Sequence, residues 1–239
     1  MPYRGSPRGE PSGHLPPSAF VAFIQNHDQV GNRAFGDRLA SFAAPEAVRA
    51  VAAVYLLLPQ IPMIFMGEEY GASQPFPFFC DFNPELAEAV RTGRRNEFAK
   101  FPEFQDHEQR QRIPDPTSVE TFMSAKLDWS ALEQPEHRNW WVFYRELLAI
   151  RRAEIIPLIQ DIKRAGNYEV IGSMAVRIAW KTSNGVLTLV ANLKADAQSI
   201  VTQPPGRRLW CNFADQGALI PAWGVSWSLK VDASSRDLS

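Results

Sequence analysis

The stretch Phe20-Val-Ala-Phe-Ile-Gln-Asn-His-Asp28 constrains the fold of this chain more than any other. It starts as an unbroken apolar run, as strands buried on both faces of a parallel sheet do. It then stops on an amide, an imidazole and a carboxylate. A second apolar run, Ile61-Pro-Met-Ile-Phe-Met66, ends in Gly67-Glu-Glu-Tyr-Gly71. Between the runs, Gln29 to Ala44 reads as a loop and Pro45 to about Leu58 as a helix. Proline suits a first helical turn, Glu46 complements the helix dipole, and Pro59 stops the helix. Strand, helix, strand of this length is a βαβ unit, so the two runs are expected side by side and parallel.

Asn83-Pro84 predicts a capped helix through about Phe98, with Leu86 and Val90 on its apolar face. Residues 99–133 are polar and irregular. Trp140, Phe143, Tyr144, Leu147 and Leu148 then recur at amphipathic-helix spacing, and this helix is expected to end near Glu154. After Pro157 the period falls to two. Val176, Ile178 and Trp180 alternate with Arg177 and Lys181, as do Leu187, Leu189 and Ala191 with their neighbours; Asn184-Gly185 between them signals a hairpin. Further strands are expected at Leu209, Cys211 and Phe213 and from Val225 to Val231, with Cys211 in the core. The tail thus reads as a small antiparallel sandwich or barrel. The fold class is α/β plus all-β: a Pro/Gly-rich loop over 1–18, an α/β region over 19–156 and a β-domain over 157–239.

Composition narrows the function. Net charge is −1 and no Lys/Arg block stands out, which excludes the electrostatic footprint of a nucleic-acid binder. No basic n-region with an apolar h-region opens the chain. The longest apolar run, Ala50 to Leu58, is far short of the roughly 20 residues that cross a bilayer. A soluble cytoplasmic protein without a membrane partner is expected. Cys80 and Cys211 read as two free thiols in a reducing compartment, and neither has metal-ligand spacing. The 11% aromatic content suits carbohydrate stacking, yet core filling accounts for most of it. Trp140 and Trp141 read as helix packing, and His14 as a loop histidine. Alone, Asp28 reads as a turn residue as readily as a catalytic one.

Five segments in order carry a resemblance: Gly9-Glu-Pro-Ser-Gly-His-Leu-Pro-Pro17, Phe23-Ile-Gln-Asn-His-Asp-Gln-Val-Gly-Asn-Arg-Ala34, Phe65-Met-Gly-Glu-Glu-Tyr-Gly-Ala-Ser73, Asp81 to Phe98, and Lys126-Leu-Asp-Trp129. Together they resemble the malto-oligosyltrehalose trehalohydrolases, retaining glycoside hydrolases of the α-amylase family. The resemblance covers essentially the whole chain but only the C-terminal portion of those enzymes. It implies that the Asn-His-Asp strand is the seventh, and the Gly-Glu-Glu strand the eighth, of a (β/α)₈ barrel. Catalytic side chains of such barrels sit at the C-terminal strand ends. The tail would be the family's C-terminal β-domain. Strands one to six have no counterpart, and two of them carry the family's nucleophilic Asp and acid/base Glu. No Gly-x-Arg-x-Asp segment stands in, so Met1 is expected to start a truncated or mis-called reading frame.

The resemblance also implies roles. Asp28 would hold the sugar hydroxyls and stabilise the oxocarbenium-like transition state, and His27 would bind the same hydroxyls. Asn32 and Arg33 would reach the trehalose side of the cleft, with an exposed loop salt bridge the equal alternative for Arg33. Gln25 and Asn26 would support the strand end. Glu69 and Tyr70 would bind substrate at the same barrel face, and Glu68 would cap backbone. The implied substrate is maltooligosyl trehalose or a related α-glucan, cleaved at the α-1,4 bond next to the trehalose end to release trehalose. The implied partner is the missing N-terminal part of the barrel; no metal and no cofactor are called for. With two of three catalytic carboxylates lacking, the chain alone is expected to be inactive. Two other readings stay open: a non-catalytic glycan-binding or interaction module, and a non-functional gene remnant.

Overall fold

The computed structural model describes residues 9–172, 174–199, 204–214 and 219–232. The first eight residues of the Pro/Gly-rich lead-in lie outside them. In chain order the elements are β1 (Val21–Ala22), α1 (His27–Gly31), α2 (Pro45–Leu57), β2 (Ile61–Pro62), α3 (Pro84–Phe98), α4 (His107–Gln111), α5 (Val119–Ser124), α6 (Pro135–Ile150) and α7 (Ile156–Ile159). Then come β3 (Asn167–Ile171), β4 (Ala175–Thr182), β5 (Gly185–Asn192), β6 (Gln198–Ser199), β7 (Arg207–Cys211), β8 (Leu219–Ile220) and β9 (Val225–Val231). The chain divides into two compact units. One comprises Met1–Ala22, Arg49–Met63 and Glu146–Ser239; the other comprises Phe23–Val48 and Ile64–Arg145.

In the first unit, β1 and β2 pair in parallel, Val21 opposite Ile61 and Ala22 opposite Pro62, as the βαβ pattern requires. The expectation of two buried strands is corrected. Each ladder strand is two residues long, and Val21 and Ile61 are 57% and 44% exposed. A pair this short offers no sheet face for a helix to cover. The antiparallel tail is present as a five-stranded sheet in the order β3-β4-β5-β9-β7, with β6 and β8 forming a separate ladder. Strand β5 is buried on both faces. On one, Trp180 stacks on Trp227 at 5.8 Å, and the Trp227 indole N–H donates to Ala53 O of α2 at 3.1 Å. On the other, Val190 packs with Ala175 and Ile220.

Asn184-Gly185 does mark the hairpin, but the turn residues are Ser183 and Asn184, because Thr182 pairs with Gly185. Glycine is needed there for a close approach: a Cβ on Gly185 would stand 2.0 Å from Lys230 O of β9. Cys211 is half-buried opposite Ser226, on the face away from Trp227, and is not in the core as expected. A bulge between Arg208 and Trp210 shifts the register and turns it aside. Strand β3, at the sheet edge, escaped the sequence reading: it is five residues long and its alternating apolar side chains, Tyr168 and Val170, are exposed.

Helix α2 starts at Pro45 as expected, and Arg151 closes its end. The guanidinium donates to Leu56 O at 3.0 Å, Leu58 O at 2.6 Å and Gln60 O at 2.7 Å, satisfying carbonyls a helix terminus orphans. The helix expected to stop near Glu154 instead passes through a π-turn, Arg151–Ile155, into α7. The reason is Pro157: its ring excludes the carbonyl four residues back, and the wider turn makes room.

In the second unit, Asn83 caps α3 as expected, its side chain accepting from Leu86 N at 3.0 Å. The buried face differs from the one expected. Ala87, Arg94 and Phe98 point inward, whereas Leu86 is 44% exposed. Residues 99–133 form short pieces, three of them started by a side-chain cap: Asp106, Ser118 and Asp128. Ala34, Phe98, Phe104 and Ile113 make one core cluster with Phe35 against it, and Tyr70, Ala72 and Ala131 another. Trp140 packs inward, as expected. Trp141 is 37% exposed, with the Arg145 guanidinium over its ring, because adjacent helix positions face about 100° apart.

Candidate functional site

Asn26 begins a helix. Its backbone is extended and its Oδ1 accepts the Gln29 amide at 2.8 Å, the geometry of an N-cap. The supposed loop from Gln29 therefore opens inside α1. His27 and Asp28 form the first turn and are exposed. The Asp28 carboxylate sits where a negative charge complements the helix dipole, and its Oδ1 accepts from Asn32 Nδ2 at 3.0 Å, one turn on. Among the described residues, no hydrogen bond or ion pair engages the His27 ring.

Three groups fix the segment that follows. Gln25, 5% exposed, accepts the Leu39 amide at 3.1 Å. Arg94 reaches from α3 to donate to Gly31 O, a carbonyl at the end of α1, and, at 3.0 Å, to Arg33 O in the loop that follows. Burial lowers the Arg94 pKa, and Glu97 at 3.1 Å offsets part of that. Gly36 adopts φ +68° and its carbonyl accepts the Phe76 amide at 2.8 Å. Arg33 pairs with Asp37 at 3.4 Å and lies 4.2 Å over the Phe42 ring. The loop salt bridge weighed for Arg33 is thus present.

Glu68, Glu69 and Tyr70 occupy a short 3₁₀ turn. Glu68 Oε1 accepts the Tyr144 hydroxyl at 2.8 Å, tying the turn to α6. Tyr70 has no exposed surface. Its ring lies 5.4 Å from Trp129 and 6.1 Å from His137, and its carbonyl meets His137 Nδ1 at 2.9 Å. Burial, and then Glu69, push the Tyr70 hydroxyl pKa up, while Arg38 pulls it partly back. Arg38 is itself 3% exposed, donating to Gln74 O at 2.6 Å and Met66 O at 2.8 Å. Burial lowers its pKa against Tyr70, Glu69 and Glu68. Arg38 Nη2, Glu69 Oε2, Tyr70 Oη and Gln74 Oε1 are buried without a partner among the described residues. A cavity of about 10 Å³ borders Arg38 and Glu68, room for a single water.

The structure therefore gathers His27, Asp28, Asn32 and Arg33 on α1 and the loop after it. Glu69 and Tyr70 belong to a polar cluster around Arg38. Sequence reasoning missed Arg38 and Arg94, and read Tyr144 only as a helix-face residue; Arg94 left a signal, sharing a helix face with Ala87 and Phe98. Among the described residues no group of three His, Cys, Asp or Glu gathers as a metal site, and no helix is long and apolar enough to cross a membrane. An exposed imidazole and carboxylate in one helical turn can hold vicinal hydroxyls, the carboxylate accepting and the imidazole donating or accepting.

Comparison with known proteins bears on this geometry. A malto-oligosyltrehalose trehalohydrolase of Deinococcus radiodurans is 36% identical over 193 residues, covering 81% of this chain and 31% of that protein. One from Saccharolobus solfataricus is 41% identical over 207 residues, covering 82% and 34%. The chain is related to the malto-oligosyltrehalose trehalohydrolases. It spans about a third of the length of the curated trehalohydrolases it matches. A crystal structure of a candidate α-amylase from Salmonella typhimurium superposes with a TM-score of 0.85 at 39% identity, over 94% of this chain and 37% of that one. No family model matches the chain.

Proposed function

We propose that the chain is the C-terminal part of a retaining glycoside hydrolase that releases trehalose from maltooligosyl trehalose by cleaving the adjoining α-1,4 bond. What carries the reading is the 36–41% identity to trehalohydrolases over four-fifths of the chain, with His27 and Asp28 presented bare at a helix start. In this reading β1 and β2 are the seventh and eighth strands of a (β/α)₈ barrel. Residues 1–18 form a lead-in, 19–156 the partial barrel and 157–239 a C-terminal β-domain. Asp28 stabilises the transition state; His27, Asn32, Arg33 and Glu69 bind substrate, whereas Tyr70, expected among them, has no exposed surface. Retaining hydrolysis uses two further roles, nucleophile and acid/base, on carboxyl groups about 5–5.5 Å apart. Other strands supply both, so this chain alone does not turn over. The protein works in the cytoplasm.

The test is reconstitution. The part of the Deinococcus radiodurans relative that this chain does not match is supplied by fusion or co-expression, and trehalose release is measured. Turnover is expected with the reconstituted protein and background with the chain alone. Asp28→Asn puts a donor NH₂ where a charged acceptor stood and removes charge that matters more in the cationic transition state than in the ground state. Several kcal/mol of stabilisation then translate into a loss of about 10²–10⁴ in kcat. A folded fusion without turnover, or an Asn variant within about threefold of wild type, would overturn the assignment.

A further inference from the structure

The first unit contains a cavity of about 460 Å³ beside the β3–β4 hairpin, within the size range of small-molecule sites. Ala179 and Lys181 border it from the face of β4 opposite to Trp180, which stacks on Trp227. Lys163, Arg164 and Lys181 bring three positive charges to its lining, and Asp161 brings one negative charge. That carboxylate is already spent on the Ser183 amide and hydroxyl. Lys163 gives one proton to Gln160 O past the end of α7 and keeps two. Arg164 and Lys181 have no hydrogen bond or ion pair among the described residues. Glu169, further along β3, is taken by Arg177 at 2.9 Å and does not offset them. The lining therefore carries a net charge of +2. A phosphate monoester carries about −1.5 to −2 at neutral pH and matches it, and a guanidinium binds two phosphate oxygens at once. The room exceeds what one phosphate group needs, since each water it displaces occupies only about 30 Å³. Asn167 offers an unspent amide, and the Thr182 hydroxyl, donating to Gly185 O at 3.2 Å, can still accept. Both suit the hydroxyls of a sugar. Among the described residues no aromatic ring lines the cavity, so nothing there stacks a nucleobase.

We propose that this cavity is a binding site for a sugar phosphate, with the phosphate held by Lys163, Arg164 and Lys181 and the sugar hydroxyls by Asn167 and Thr182. It is independent of the trehalohydrolase reading, because none of these residues lies in the segments that carry the resemblance or among those assigned to the glycan.

Isotope-labelled full chain is titrated separately with glucose 6-phosphate, glucose, inorganic phosphate and AMP, and followed by amide NMR. Saturable shifts confined to residues 161–167 and 179–183 are expected with glucose 6-phosphate. Inorganic phosphate should bind about fivefold or more weakly, and glucose should give no saturable shift over the same range. Arg164→Gln and Lys181→Gln should each weaken glucose 6-phosphate binding about three- to fivefold, and the double variant about tenfold or more. All three side chains that carry the charge are exposed, and the amide spectra check that the fold is kept. Inorganic phosphate binding within about twofold of glucose 6-phosphate would reduce the cavity to a solvated basic patch and overturn the site. AMP binding more tightly than glucose 6-phosphate would overturn the sugar assignment. Affinity within about twofold of wild type in the double variant, or no saturable shift with glucose 6-phosphate, would overturn the site outright.

Discussion

One substitution made at two glycines tests how the loop that follows α1 is held. At Gly36 a Cβ would lie 2.2 Å from Pro77 N, 2.3 Å from Phe76 C and 2.6 Å from Pro77 Cα. Non-bonded heavy atoms rest about 3.5–4.0 Å apart, so the two segments must separate by over about 1 Å. The obstacle is backbone, and Pro77 is locked in φ, so no side chain can swing away. Alanine at φ +68° costs about 1–2 kcal/mol. Overpacking adds about 1–3, and loss of the Phe76 N–H to Gly36 O bond adds about 1. Gly36→Ala is therefore expected to destabilise by roughly 3–6 kcal/mol, or about 6–12 °C in Tm at about 2 °C per kcal/mol for a chain of this size.

Gly93 lies inside α3 with nothing within 4 Å of an added Cβ. Gly93→Ala should stabilise by about 0.5–1 kcal/mol, since alanine loses less backbone entropy in a helix. Urea denaturation of both variants, with amide hydrogen exchange over residues 31–37, reads the two effects. The Gly36 variant should also exchange faster in that loop than anywhere in the five-stranded sheet. A Gly36→Ala cost below about 1 kcal/mol, or a destabilised Gly93→Ala, would refute the account, because neither strain nor clash could then be as drawn.

Arg151→Met keeps the apolar stem but strips three carbonyls at the end of α2; Leu56 O is fully buried while Leu58 and Gln60 can rehydrate, so a loss of about 3 kcal/mol is expected in thermal melts. Arg94→Met should leave the α3 amides protected while Gly31, Asn32 and Arg33 lose protection, measured by hydrogen exchange. Asp161 accepts from the Ser183 hydroxyl and amide, bonds that hold its carboxyl pKa below the usual value. A depressed folded pKa means the unfolded state binds the proton more readily. This stability is present above the ordinary carboxylate pKa of about 4 and is lost as pH falls toward the lower folded value. Melts of wild type against Asp161→Asn should converge in that window and diverge above it.

Where the sequence was legible, one short-range signal decided the outcome. Pro45 and Asn83 mark helix starts because their contributions, a fixed φ and a side-chain acceptor, need no partner elsewhere. The period of two in β4, β5 and β9 survives because each strand has apolar neighbours across the ladder. The misses among the buried arginines are tertiary. Arg38, Arg94 and Arg151 are 3%, 8% and 5% exposed, yet nothing in composition separates them from solvated arginines. Each is buried because a guanidinium fork can serve several carbonyls at once, and those carbonyls come from segments distant in sequence. Val21 and Ile61 fail in the opposite sense: an apolar run encodes burial only if something is there to cover it.

The turn reading and the catalytic reading of Asn26-His27-Asp28 part at a single residue. Capping α1 requires one acceptor for the amide three residues on, and Asn26 provides it. His27 and Asp28 are then surplus to the turn. The Asp28 carboxylate takes one hydrogen bond from Asn32 on Oδ1 and remains exposed, so an ionised group with about four acceptor sites has most of them open. Burying that carboxylate in an apolar place would cost several kcal/mol; at a helix N-terminus its charge is instead favoured by the dipole. A carboxylate oriented by an amide and otherwise unspent is suited to hold two hydroxyls of a sugar ring.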